Sequence, residues 1–195
     1  MDSHIRTMSL ADLPAVHALQ CRAHPDHYHE PVEALASRLV LGPDFCLVAV
    51  EDGASGVASQ RLPKGGESAP LSAPALFAYF LAHPWAGDPP PLHETLPARL
   101  SEPAQYLFLH DMAVCPRRQG LALGSRLHDA MLVRAARHGF TELRLVAVGT
   151  AQAYWQKFGF GACNDVSLHP SYGNAVLMRK ILVSQRLAGH SVSAA

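Results

Sequence analysis

The sequence predicts a single α/β domain spanning residues 1–195, and three observations lead there. The stretch from Tyr106 to Val148 reads strand, helix, strand within about 45 residues, the length of a crossover that joins parallel neighbours. The N-terminal half reads as two amphipathic helices followed by apolar strands. The chain has 195 residues, 49% hydrophobic and 16% charged, enough to bury one substantial core.

The first helix is expected from Leu10, with apolar residues at helical spacing through Cys21, Asp12 as a cap and Pro14 in the first turn. A second runs from Pro31 to Val40 on Val32, Leu35 and Leu39, and stops at Gly42-Pro43. Phe45 to Glu51 reads as a buried strand ending at the turn signal Asp52-Gly53. Residues 55–74 shift to Gly, Ser, Pro and Ala, and are expected to form a flexible inserted hairpin loop. Strand character returns from Leu76 to His83. Trp85 to Pro103, with Pro89-Pro90-Pro91, reads as a structured loop with room for a short helix.

Tyr106 to Val114 is an apolar strand interrupted by His110 and Asp111, and Pro116 ends it. A helix is expected to open over Arg117 to Gly124 and to bury the stripe Leu123, Leu127, Met131 and Ala135 before Gly139 stops it. A strand over Leu143–Val148, a short helix over Ala151–Phe158 and a last strand over Ala175–Leu182 follow, with residues 186–195 expected as a disordered tail.

Sixteen basic side chains balance sixteen acidic ones, so no overall field favours nucleic acid or an anionic membrane surface. The four cysteines are scattered without a CxxC pair, and no signal peptide or membrane-length apolar run is visible, which predicts a cytoplasmic protein. His24, His27 and His29 follow no usual zinc spacing and are assigned to the surface or to an acceptor pocket; no metal is expected.

The chemistry centres on the corner after Val114. A helix N-terminus presents unpaired N–H groups and the positive end of its dipole, so it attracts phosphate. Gly120 and Gly124 carry no side chain to hold phosphates away, Ala122 is small, and Arg117 and Arg118 add positive charge at the same mouth. A pyrophosphate site is expected at Arg118 to Leu123; a plain glycine-rich turn at a tight corner would look similar. The glycines are not followed by Lys-Ser or Lys-Thr, and they do not fit GxGxxG, which argues against the common nucleotide-binding loops.

The run Leu109-His-Asp-Met-Ala-Val-Cys-Pro-Arg-Arg-Gln-Gly-Leu-Ala-Leu-Gly-Ser-Arg-Leu resembles the acetyl-CoA signature of the GNAT superfamily of N-acetyltransferases, with Arg117, Gly120 and Ala122 at its marked positions. Ala151-Gln-Ala-Tyr-Trp-Gln-Lys-Phe-Gly-Phe is similar to the family's second block. The resemblance implies a mixed, mostly antiparallel sheet with a splayed parallel central pair, flanked by helices. It implies acetyl-CoA as co-substrate and transfer of the acetyl group to a primary amine of a small molecule or peptide, by direct attack. It places the cofactor against Met112, Ala113, Val114, Arg117, Arg118, Gln119, Gly120, Leu121, Ala122, Leu123, Gly124, Ser125, Tyr154 and Lys157. It offers the Met112 backbone N–H as oxyanion donor, His110 and Asp111 as bases, and Tyr154 or Tyr172 as acid to the leaving thiolate. His110 and Asp111 also fit purely structural roles.

One departure stands out: Trp155 occupies the position where many relatives carry the acidic Tyr. That departure supports an alternative of the same fold, a catalytically weak acetyl-CoA-binding regulatory or sensor protein. Trp85 and the proline run are expected at the acceptor rim, and a homodimer is compatible with this fold.

Overall fold

The computed structural model describes residues 3–52, 75–163 and 168–182; the expected inserted loop over 55–74 and tail over 186–195 lie outside them. Strand β1 (Ser3–Thr7) leads through a 3-10 turn into helix α1 (Leu13–Ala23). Helix α2 (Val32–Leu41), strand β2 (Leu47–Glu51) and strand β3 (Leu76–Trp85) follow. Strand β4 (Tyr106–Val114), helix α3 (Leu123–Arg137), strand β5 (Glu142–Ala147), helix α4 (Ala151–Gln156), and strands β6 (Gly161–Ala162) and β7 (Val176–Ile181) complete the order.

The seven described strands form one mixed sheet in the order β1-β2-β3-β4-β5-β7-β6. Only β4 and β5 pair in parallel, as a crossover through α3 requires. Their ladder runs from Leu107–Leu143 to Leu109–Leu145 and stops, although β4 continues to Val114. Five residues of β4 therefore have no partner on that side, and the pair splays.

Each face of the sheet carries its own core. Leu123, Leu127, Met131 and Ala135, the predicted stripe, bury against Phe80, Leu107, Leu109, Leu143 and Leu145. Val16, Leu19, Leu35 and Leu39 from α1 and α2 pack on the opposite face against Val48, Tyr79, Leu81 and Ala113.

Several expectations change in detail. Asp12 makes no cap bond to α1; it pairs with Arg6 at 2.7 and 2.8 Å and accepts from the Ser9 backbone N–H. The segment after Pro116 is a 3-10 turn followed by loop, and α3 begins only at Leu123, because Gly120 (φ 80°) and Ala122 (φ 55°) hold left-handed backbone that a helix cannot include. β3 runs on through Pro84, since β2 pairs only as far as Phe80 and leaves that side of β3 with no ladder for a missing N–H to break. β1 was not expected: its Ser-His-Ile-Arg-Thr sequence is short and polar, and only its register with β2 at the sheet edge marks it as a strand.

Candidate active site

A register shift in the β3–β4 ladder decides which residues of β4 reach the site. Leu81 faces Asp111 and Ala82 faces Leu109, so His110 is an extra residue, a β-bulge. Side chains alternate faces along a strand, and the bulge resets that alternation. Leu107 and Leu109 point to the α3 core; beyond the bulge Met112 packs there, while Ala113 joins the α1–α2 core. Two consecutive polar residues, His110 and Asp111, consequently both meet groups from the α1–α2 side.

Asp111 accepts from Gln20 Nε2 at 2.8 Å, from His24 Nε2 at 2.9 Å and from the Tyr79 hydroxyl. Burial opposes its ionisation, but the bonds and charge of His24 and the Tyr79 hydroxyl outweigh it and hold the carboxyl at about 2. Burial likewise works against the His24 imidazolium, and Asp111 and Glu30 overcome that and raise it. Burial, and then the charge of Asp111, push the Tyr79 phenol well up, so it remains a donor.

Beside this cluster lies a second one. Glu30 and Arg38 are buried, with side chains 2% and 0% exposed, and approach to 2.7 Å. His110 Nε2 lies against both Glu30 Oε2 and Arg38 Nε. Burial resists the Glu30 charge, and His110 and Arg38 offset it and lower the carboxyl. Arg38 and Glu30 also hold the proline-rich loop, through the Glu94 carbonyl (2.8 Å) and the His93 N–H (3.3 Å), which explains how a loop of that composition is ordered.

Two cavities adjoin these clusters. The larger, about 600 Å³, is a groove along the exposed edge of β4 and the corner into α3. Of the predicted cofactor residues, Met112, Ala113, Val114, Arg118, Gln119, Gly120, Ala122, Leu123, Gly124, Ser125 and Tyr154 line it. Arg117, Leu121 and Lys157 do not; all three side chains are exposed beside it. The first α-helical bond of α3 runs from Arg126 N–H to the Ala122 carbonyl, and no side chain caps the helix, so the N–H groups of Leu123, Gly124 and Ser125 have no partner inside it. A Cβ on Gly120 would meet nothing within 4 Å, while one on Gly124 would lie 2.6 Å from the Tyr154 hydroxyl. These are the donors and the clearance that a pyrophosphate needs, and the residues present fit coenzyme A.

The smaller cavity, about 110 Å³, passes through the splay between β4 and β5, from Glu30, Asp111 and Tyr172 to Leu109, Leu145 and Trp155. Both cavities are lined by His24 and Met112. A third hollow, about 520 Å³, shares Tyr28 and Tyr172 with the small cavity and continues over Ser171, Gly173 and Asn174.

The candidate acids fall in different places. Trp155 packs against Phe80, Phe158 and Phe160 and fills the core. The Tyr154 hydroxyl sits against Gly124 on the groove floor. The Tyr172 loop does return to the small cavity, where its hydroxyl donates to the Pro90 carbonyl at 2.7 Å. Trp85 turns away and donates to the Asp88 carbonyl, and Leu92 from the same loop takes the rim instead. The three early histidines separate: His24 binds Asp111, His29 donates to the His24 carbonyl and His27 packs at a tilt against the Tyr28 ring. Among the described residues no helix is long and apolar enough to cross a membrane.

The fold has many solved counterparts. It matches the ribosomal-protein-S18-alanine N-acetyltransferase from Escherichia coli with a TM-score of 0.61 at 16% identity, over 99% of this chain and 100% of that one. It matches the PaiA N-acetyltransferase from Thermoplasma acidophilum, solved in complex with coenzyme A, with a TM-score of 0.58 at 16% identity, over 93% and 100%. The loading GNATL domain of CurA from Lyngbya majuscula gives a TM-score of 0.68 at 13% identity, over 93% and 98%. At these identities the likeness is one of fold. No curated protein matches in sequence. Residues 76–160, from the start of β3 to just beyond α4, match the model of the acetyltransferase (GNAT) family. The chain thus has the GNAT fold, and its β3-to-α4 segment matches the GNAT acetyltransferase family.

Proposed function

We propose that the chain is an acetyl-CoA-dependent N-acetyltransferase that acylates a primary amine on a small molecule or a peptide. One observation carries the reading: the groove that fits coenzyme A and the cavity through the splayed strands meet at Met112 and His24. A thioester delivered along β4 would reach that junction from one side and an amine from the other, the near-attack placement that acyl transfer needs.

The residues divide the work. Amides of Leu123 to Ser125, with Arg118 beside them, hold the pyrophosphate. The backbone of β4 on its unpaired side, at Met112 and Val114, guides the pantetheine arm, and the Met112 N–H donates to the oxyanion that develops on the thioester carbonyl. Acetyl-CoA supplies the activated acyl group. The acceptor enters past Tyr28 and Tyr172, over a hollow in which the described side chains carry no carboxylate or ammonium, which suits a neutral body such as a peptide end.

The test is release of free thiol from acetyl-CoA across a panel of amines and peptide N-termini, alongside thermal unfolding with and without acetyl-CoA. The expected result is a raised Tm with acetyl-CoA, by about 3 kcal/mol of added stability at a hundredfold excess over Kd, and thiol release with at least one amine. A raised Tm without turnover would favour the regulatory binder. No change in Tm would end both readings.

A further inference from the structure

We propose that His24 is the proton carrier of the transfer reaction, taking a proton from the attacking amine and returning it to the departing sulfur. The inference rests on the acetyl-transfer reading above and assigns the role to the residue that caps the C-terminus of α1.

Position comes first. Besides Met112, whose thioether has no proton to exchange, His24 is the residue shared by the cofactor groove and the acceptor cavity. A single side chain that lines both can reach a nitrogen arriving from one and a sulfur leaving into the other. The two polar residues of β4 cannot do this. The His110 side chain is 1% exposed, and its Nε2 is wedged between Glu30 and Arg38. Asp111 is encircled by donors from Gln20, His24 and Tyr79. Trp155 has no proton of suitable acidity and is committed to the core.

The protonation state follows from the partner. Asp111 is ionised and can only accept, so the His24 nitrogen 2.9 Å away, Nε2, must carry a hydrogen. In the neutral ring the basic lone pair is then on Nδ1, which is the nitrogen available to a substrate. The backbone that carries the ring is fixed as well, because His29 donates to the His24 carbonyl at 2.7 Å and the His24 N–H closes the last turn of α1 on Gln20. The side chain is 24% exposed, enough for a ligand to touch and too little for bulk water to dominate. The titratable groups around it are Asp111 and Tyr79 from the sheet, Glu30 and His29 from its own connection, and Arg118 and Tyr154 across the groove. The nearest charges are the two carboxylates, and both favour the imidazolium.

The step balances without any further reagent. The amine lone pair forms the N–C bond, which leaves that nitrogen positively charged, and Nδ1 takes one of its protons. The C–S bond then breaks with its electron pair going to sulfur, and the imidazolium returns the same proton to the thiolate. The products are the amide, the coenzyme A thiol and neutral His24.

The experiment compares wild type with His24→Gln, which keeps a donor for Asp111 and cannot carry the proton. With the best amine of the panel, kcat should fall by about 10²–10³-fold, while the acetyl-CoA-dependent rise in Tm persists and the acid limb of the kcat/KM pH profile disappears. Imidazole should restore part of the rate to His24→Ala. A variant within about threefold of wild type, with its pH profile unchanged, would overturn the assignment. A second measurement needs no acceptor: ring ¹⁵N shifts of His24 in the free protein should show the Nε2–H tautomer, titrating above an ordinary histidine. The opposite tautomer, or a depressed titration, would overturn it equally. Absence of turnover in wild type would count against acetyl transfer itself, and the ring titration would still decide the state of His24.

Discussion

Asp111 is charged where water is scarce, and its three donors make that affordable. Its carboxyl is depressed to about 2, so the stabilisation it brings is complete above the ordinary carboxylate range and is lost as pH falls from about 4 through 2. His24 is shifted the other way: its share is complete below about 6.5 and is lost as pH rises through its elevated value. The pair is therefore worth most between about pH 4 and 6.5, on the order of 2 kcal/mol. Asp111→Asn should show its largest loss of stability in that window, in denaturant titrations run as a pH series, and the gap should narrow on both sides. The same variant should lower the His24 titration and move the acid limb of kcat/KM to lower pH, whereas a purely structural Asp111 would leave that limb in place. None of this pairing was legible in the sequence. Asp111 stood out as a polar residue in an apolar strand, but its partners lie 32 to 91 positions away, and His24 was one of three histidines assigned together to the surface or to an acceptor pocket. Local pattern carries no information about which distant side chain folds onto a strand.

At the scale of elements, β4, α3 and the corner between them were the most legible, because each is written locally: an apolar run, a helical stripe, and small residues where backbone must approach a ligand. Two features of the same region were hidden, and a third came only through the family resemblance. The bulge at His110 depends on register with β3, and the delayed start of α3 depends on left-handed backbone at Ala122; the splay that ends the β4–β5 ladder was implied by the resemblance and by no local pattern. The corner also depends on α4, through one tight contact. A methyl on Gly124 would stand 2.6 Å from the Tyr154 hydroxyl and 3.6 Å from Met112 Cε. Since the nearest atom is the end of a side chain, Tyr154 can swing, and the way open to it is the groove it already lines. Gly124→Ala should leave Tm nearly unchanged, as gained helix propensity of about 1 kcal/mol offsets the displacement, yet weaken acetyl-CoA binding about tenfold in calorimetric titration. Adding Tyr154→Phe should restore most of that affinity; a double variant no better than the single would place the effect elsewhere.

For the whole molecule, the sheet is the frame on which two helix layers must be registered, because the cofactor groove is built with α3 and α4 and the acceptor side with α1 and α2. The sequence predicted the layers as helices but gave no measure of how close they come. One close approach is at the end of α2, where Gly42 packs on β3: a Cβ there would lie 2.6 Å from the Ala82 carbonyl oxygen and 2.7 Å from the His83 Cα. Gly42 has φ −133°, which any residue tolerates, so its lack of a side chain serves this contact and not the turn. Backbone atoms in a central strand cannot step aside as a side chain can. Gly42→Ala must lift α2 off β3, and α2 carries Arg38, whose guanidinium is bonded to His110 and to the proline-rich loop. We expect a loss of about 1–3 kcal/mol, seen as a Tm lower by about 2–4 °C per kcal/mol. Because the lever acts on the acceptor wall, KM for the amine should rise more than KM for acetyl-CoA. Equal rises in the two constants would mean that the layers do not move independently, and an unchanged Tm would mean that the approach at Gly42 is looser than 2.6 Å.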